Sequence, residues 1–384
     1  MGQQIEYTAQ AASPIVNGEV KMTISENALT ASALFDTAEI PLSEINEIII
    51  SDYVVTVKAD SGDYAFSRMG NWCGPFYDAL CGAYNGAVLR SFFIKGEPII
   101  KAKGNVPVNV YENCVASLPP DLSARRIPLC FISGIDKGDH ELTLKLDAGE
   151  SYTFTKLGYE AAPFAGAVEK QTRYLREQTV FAVKEIDYTL TTAQAAQLAK
   201  IMTQGAAASI GQLSGIASSF VTALENKLSV TRAAESYEVF KEACDPARIY
   251  IGFRKNEASS AGAESQAEAE VEADQYVLWL IAPSPDGQFA AVEFAEADTA
   301  TFVYRTGGDF DGFAKQINRA LEAIDFKREV IRLSDDELRK PENADYYMAA
   351  KRTAALQFIR SNFVGRVIHS SPETWKRKLF ELWS

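Results

Sequence analysis

Between His140 and Leu146 apolar and polar residues alternate, with Leu142, Leu144 and Leu146 set against Thr143 and Lys145. That period of two predicts a half-buried strand. Asp147-Ala148-Gly149 then turns the chain into Ser151–Lys156, a second strand with Tyr152 and Phe154 on one face. Upstream, Arg90–Lys95 and Pro98–Lys103 flank Lys95-Gly96-Glu97, which has the look of a hairpin turn. Val106–Tyr111, Cys114–Leu118 and Arg126–Ile135 are further β-rich runs, with Pro119-Pro120 breaking the ladder between the last two. After Gly158 the period changes. Pro163 suits the first turn of a helix, and Phe164, Val168, Thr172 and Leu175 follow at helical spacing. The stretch therefore predicts seven strands and then one helix.

The same order occurs earlier in the chain, and some of the same words. Glu26-Asn27 recurs as Glu112-Asn113, and Ile40-Pro41-Leu42 recurs as Ile127-Pro128-Leu129. Phe66-Ser67-Arg68-Met69-Gly70, followed by Pro75-Phe76, recurs as Phe154-Thr155-Lys156-Leu157-Gly158, followed by Pro163-Phe164. A repeat held in register over this length predicts two copies of one domain. In the first copy the strands are Val20–Ser25, Ala28–Phe35, Ile40–Ile50, Tyr53–Ala59 and Tyr64–Arg68, with a helix from about Pro75 and an opening hairpin drawn from Ile5–Val16.

Seven strands closed by one C-terminal helix resemble the pleckstrin-homology-like (PH-like) superfold. The resemblance rests on element order and on the repeat, and it covers residues 1 to about 185. It implies an α+β chain of tandem PH-like β-barrels, in which the helix plugs one open end and closure removes most strand edges. A third, divergent copy is expected because Arg305-Thr306-Gly307 and Phe313 keep the spacing of the first two. Its strands would be Ile249–Arg254, Tyr276–Ala282, Phe289–Phe294 and Thr301–Tyr304, with Phe313, Ile317, Leu321 and Ile324 on a helix. Residues 256–275 carry six acids and no base, a composition that predicts a mobile acidic loop. The expected organisation is repeat one at 1–89, repeat two at 90–188, a helical segment at 189–246, the divergent module at 247–334 and a helical basic tail at 335–384.

Composition adds exclusions. A formal net charge of −13 in 384 residues argues against nucleic acid as the main partner, since phosphate binding needs a basic face. Five cysteines in no metal spacing predict buried free thiols in a reducing compartment. Ile201–Leu224 lacks charge, but its Gln, Gly, Ser and Thr content predicts a buried, tightly packed helix rather than a membrane span. No targeting signal precedes the fold, so a cytoplasmic location is expected. His140 and His369 both fall in turns, and neither a phosphate loop nor a nucleophile elbow is present. Neither enzyme, metal nor cofactor is expected.

Binding has better candidates. The basic position Arg68, Lys156, Arg305 recurs two residues before a glycine. Its plain role is a strand-end side chain bracketing the turn; its functional role would be an anion contact beside a helix N-terminus. Arg90, Lys95, Lys101 and Lys103 surround the first hairpin of repeat two, where the resemblance implies a phosphoinositide-type headgroup site. Edge-strand protection is the plain alternative. The C-terminal Lys351, Arg352, Arg360, Arg366, Lys376, Arg377 and Lys378, with Trp375, Phe380 and Trp383, would either dock internally or attach to an anionic surface. The leading expectation is a non-enzymatic adaptor that engages protein or peptide partners through a helix–sheet groove flanked by Trp72, Phe76, Tyr159 and Phe164. The competing one is binding of an anionic lipid or phospho-headgroup.

Overall fold

Proline decides where each of the first two β-rich units bends. In the computed structural model, which describes residues 5–255, 276–295 and 300–383, the run Ile40–Ile50 is not one strand. Neither is Arg126–Ile135. Each breaks at its Ile-Pro-Leu into a single 3-10 turn, Leu42–Glu44 in one and Leu129–Phe131 in the other. Proline offers no N–H to a ladder. The leucine that follows donates its N–H to the carbonyl of the repeated asparagine, Leu42 to Asn27 at 2.8 Å and Leu129 to Asn113 at 2.9 Å. The strand after each turn begins with a bulge, between Ile45 and Glu47 or between Ile132 and Gly134. The repeated words thus mark a corner at which the chain changes sheet direction.

The N-terminal unit comprises β1 (Glu6–Ala12), β2 (Gly18–Ile24), β3 (Ala28–Ser32), β4 (Thr37–Pro41), β5 (Ile45–Ser51), β6 (Val54–Ala59), β7 (Gly62–Ser67) and helix α1 (Cys73–Ser91). Its antiparallel sheet runs β4-β3-β2-β1-β7-β6-β5. The sheet is open rather than a closed barrel, because β4 and β5 end it without pairing. Phe66 and Phe76 meet edge-on at 6.0 Å beneath α1, both fully buried.

The middle unit repeats the plan in two pieces. β8 (Ile100–Ala102), β9 (Val108–Val110), β10 (Cys114–Ser117) and β11 (Arg125–Pro128) form one open sheet, and β12 (Ile132–Lys137), β13 (Leu142–Leu146) and β14 (Ser151–Phe154) form another. Helix α2 (Ala161–Ile186) covers them, with Phe154 and Phe164 edge-on at 5.9 Å. Two expectations fail here. Arg90–Lys95 is not a strand: α1 runs through Ser91, so the boundary at 89/90 lies inside a helix. The count of seven strands survives only because the Ile-Pro-Leu corner splits the fifth run.

The C-terminal unit follows a different plan from seven strands and one helix. After α3 (Thr192–Ile201) come β15 (Ala208–Ser209), α4 (Ile210–Ile216), α5 (Ser218–Ser229) and α6 (Ala234–Ala243). The expected buried helix over 201–224, within a segment read as two or three helices, is broken, since Gln204 and Gly205 both take positive φ and Gly205 lies against the Phe253 carbonyl. β16 (Tyr250–Lys255), β17 (Tyr276–Pro283), β18 (Phe289–Phe294) and β19 (Ala300–Arg305) then lead to α7 (Phe310–Ala323), α8 (Glu329–Arg332), α9 (Asp335–Leu338), α10 (Ala344–Arg352) and α11 (Ala354–Ser361). The expected helical tail contributes a sixth strand, β20 (Phe363–Ile368), before α12 (Pro372–Leu382). The six strands form one antiparallel sheet in chain order. One face, with Leu278 and Leu280, packs on α3, α5, α6 and α12; the other, with Trp279 and Ile281, packs on α7 and α11. Burial on both faces explains why β17 is an unbroken apolar run. The expected acidic loop at 256–275 lies outside the described residues.

Buried charge joins the units. Arg126 on β11 and Glu322 on α7 form an ion pair with side chains only 4% and 7% exposed. Arg319, one turn earlier on α7, reaches Asp147 at 2.5 Å and Glu150 at 2.7 Å. Arg352, 2% exposed, donates to Tyr84 Oη at 2.5 Å and to the Ile45 carbonyl at 3.3 Å. Asp325 pairs with Arg254 at 2.5 Å and Lys95 at 3.4 Å. Burial pushes the Asp325 carboxyl up, but Arg254 and Lys95 outweigh it and hold the group below its usual range.

Two outcomes follow for stability. Removing one partner, as in Glu322→Leu, should cost about 3–5 kcal/mol in denaturant unfolding, and adding Arg126→Met should recover most of that loss. Because the folded Asp325 carboxyl is the stronger acid, its contribution is present above the unfolded carboxylate pKa and lost as pH falls through the folded one. The melting-temperature gap between the wild type and Asp325→Asn should therefore be widest near neutrality and shrink below about pH 4.

Candidate functional site

The recurring basic position is a feature of backbone geometry in two of its three occurrences. Arg68 and Lys156 both have φ of 59°, and the glycines two residues on, Gly70 and Gly158, have φ of 57° and 54°. This pair of left-handed residues swings the chain out of the last strand and into the covering helix. Arg305 does not match. It lies within β19, opposite Phe289, and the left-handed positions there are Gly307 and Gly308.

The four basic residues expected around the first hairpin of repeat two separate. Arg90 is in α1, donating to the Glu26 carbonyl at 2.8 Å and to Asn27 Oδ1 at 3.1 Å. Lys95 faces Asp325. Lys101 and Lys103 are exposed on one face of β8 and its extension, with Ala102 buried between them. Of the C-terminal basic residues, Lys351, Arg352, Arg360 and Lys376 are engaged within the chain, and Arg366, Arg377 and Lys378 are exposed. Lys351 reaches Asp60 at 3.0 Å, Arg360 donates to the Val330 and Leu333 carbonyls, and Lys376 pairs with Glu242 at 2.9 Å. Trp375 and Trp383 are buried in the C-terminal core.

A cleft of about 480 Å³ lies between α2 and β16–β17, lined by Phe181, Glu185, Arg254 and Tyr276. Chemistry is sparse there and elsewhere. Burial pushes all five cysteine thiols up, Cys81 to about 11 and Cys114 to about 12, which makes them poor nucleophiles at neutral pH. Among the described residues no three His, Cys, Asp or Glu side chains cluster as metal ligands. No described helix is long and apolar enough to cross a membrane. His369, expected free in a turn, has a partner: Nε2 is 3.0 Å from Glu293 Oε1 and 3.1 Å from Thr301 Oγ1, and Trp375 Nε1 donates to that hydroxyl at 2.8 Å. Glu293 and Thr301 are fully buried, so this group fixes α12 against the sheet rather than facing a cavity.

A second cleft, of about 560 Å³, brings Arg68 into a site. Glu6, Tyr7, Thr8, Gln10 and Glu19 line one side; Arg68, Met69 and Trp72 line the other. Its floor is a strand edge. β1 pairs with β2 along its length but with β7 only from Gln10 to Ala12, because β7 stops at Ser67 and Arg68 turns away. Gln10 faces β7, since its carbonyl accepts from Ser67 Oγ at 3.2 Å. Alternation along a strand then aims the N–H and C=O of Thr8 and Glu6 into the same, vacated lane.

The middle unit closes the corresponding edge. Asn105 N–H donates to Thr155 O at 2.8 Å, which makes Asn105 the counterpart of Gln10 and Lys103 the counterpart of Thr8. Lys103 N–H is taken by Glu160 Oε2 at 3.1 Å. The residue in the place of Glu160 is Trp72, which is 61% exposed and stands edge-on to Tyr7 at 6.2 Å. Sequence reasoning singled out Arg68 and Trp72 but not the edge between them. Nothing local to Thr8 signals that β7 ends two residues too soon to cover it. The other residues expected along the groove divide: Phe76 and Phe164 are core, and Tyr159 is fully exposed.

No protein-family model and no curated protein matches the chain. Among solved structures, that of the Spt16D Pob3N heterodimer is similar over 39% of this chain and 86% of that chain, at 14% sequence identity and a TM-score of 0.18.

The two edges should differ in amide hydrogen exchange. Thr8 should exchange with little protection. Lys103 should be protected, and Glu160→Ala should speed its exchange by roughly fivefold, the equivalent of one lost hydrogen bond of about 1 kcal/mol.

Proposed function

We propose that the chain is a non-enzymatic binding protein, an adaptor that takes a protein or peptide partner in the cleft between β1 and Trp72. PH-like modules are the frame of this proposal. The order β4-β3-β2-β1-β7-β6-β5 with a covering helix, and the same order of elements in the middle unit, support two such modules in tandem. The observation that carries the binding role is the vacated lane beside β1, flanked by an exposed tryptophan and by an arginine that makes no ion pair with a described residue. An aromatic ring kept at the surface beside unpaired backbone is the usual chemistry of peptide capture. A buried ion pair between the units, and a second with a half-exposed carboxylate, support a rigid platform rather than a moving one. Five unpaired thiols support a reducing compartment such as the cytoplasm.

The competing proposal, an anionic lipid at the middle unit, keeps Lys101 and Lys103 of its four basic residues. Arg90 and Lys95 are engaged within the chain. Panning a random phage-displayed peptide library against the full chain separates the two. The expected result is enriched peptides whose affinity falls about tenfold or more with Trp72→Ala and is unchanged by Lys101→Glu. An unenriched library, together with salt-sensitive sedimentation on phosphatidylserine vesicles that Lys101→Glu abolishes, would replace the adaptor by the lipid reading.

A further inference from the structure

We infer that the occupant of this cleft is an extended peptide that adds to β1 as a strand, in the lane β7 leaves, with an acidic side chain lying at Arg68. The inference rests on the binding role proposed above and specifies its chemistry.

The middle unit carries an internal version of the complex. There the extension of β8 past Ala102 meets the end of β14 through Asn105, and a carboxylate, Glu160, takes the next inward N–H. In the N-terminal unit Thr8 presents the equivalent N–H, but its own chain supplies an indole instead of a carboxylate. A partner strand would fill the lane with main-chain carbonyls at Thr8 and Glu6, and its inward side chain would lie on Trp72 and Met69.

Charge selects the acidic residue. Arg68 stands at the end of the lane itself, while Glu6 is offset by Lys21 at 2.9 Å. Glu19 also lines the cleft, but it stands on β2 with β1 between it and the lane, whereas Arg68 directly follows Ser67, the last β7 residue paired with β1.

Peptides recovered from the library selection provide the test. Methylating their backbone amides one at a time should weaken binding about tenfold at alternate positions and leave the intervening ones unchanged. Replacing the acidic residue by its amide should weaken binding about fivefold to wild type and have no effect on Arg68→Gln. Uniform tolerance of N-methylation would overturn strand addition while leaving the cleft as the binding site. Indifference to the acid-to-amide change would remove Arg68's role. If no peptide enriches, or if Trp72→Ala is without effect, the binding proposal itself falls. Dimerisation of the chain that Thr8→Pro abolishes would assign the lane to a second copy and overturn the peptide.

Discussion

The Arg126 guanidinium and the Glu322 carboxylate, both nearly removed from water between β11 and α7, persist there only because each completes the other. Their pairing dictates more than a local contact. It brings the middle unit against the C-terminal sheet at one fixed register, and Arg319 on the same helix repeats the arrangement with Asp147 and Glu150. On the other side of the molecule Arg352 runs from α10 into the N-terminal unit, ending at Tyr84, whose hydroxyl in turn donates to the Asp121 carbonyl of the middle unit at 3.1 Å. All three sheet systems are therefore tied by charge that would be costly to expose unpaired. Lys95, Lys351 and Arg352, basic residues that would suit an anionic surface in isolation, are engaged in such contacts, while Lys101 and Lys103 stay exposed.

Within this arrangement the two similar units differ at one strand edge. Both use an Ile-Pro-Leu corner, a bulge and a left-handed basic residue to bring the last strand into a covering helix. Among the positions at which they diverge beyond that turn, one bears on the strand edge, Trp72 in one and Glu160 in the other. A carboxylate there finishes the edge of the middle unit from within. An indole cannot accept a hydrogen bond from the backbone, so the corresponding edge of β1 stays open beside an apolar ring. The edge of the middle unit is thus capped from within, and the corresponding edge of β1 is not.

Several features were legible because they depend on neighbours in sequence. Alternation at Leu142–Leu146 marked β13, and the spacing of Phe164, Val168 and Leu175 marked the buried face of α2. The recurrence of Phe66 and Phe76 as Phe154 and Phe164 matched two equivalent edge-on pairs. Arg90–Lys95 was misread because Phe92, Phe93 and Ile94 are β-prone residues lying just past a helix end, where burial rather than propensity decides. Phe363–Ile368 was missed as a strand because it sits alone among helices and finds β19 only across a long excursion of chain.

What the sequence by itself determined is the set of local instructions: strand and helix periods, the proline corners, the glycine-paired turns and the duplication of all of them. These act within a few residues and need no partner. Tertiary structure alone decided which charges pair, whether a sheet is covered on one face or two, and where a strand stops short of its neighbour. Those outcomes depend on groups far apart in the chain, as with Arg126 and Glu322, or on the relative lengths of two adjacent strands, as with β1 and β7. Neither is written in any one stretch of residues, because both are properties of how separate stretches meet.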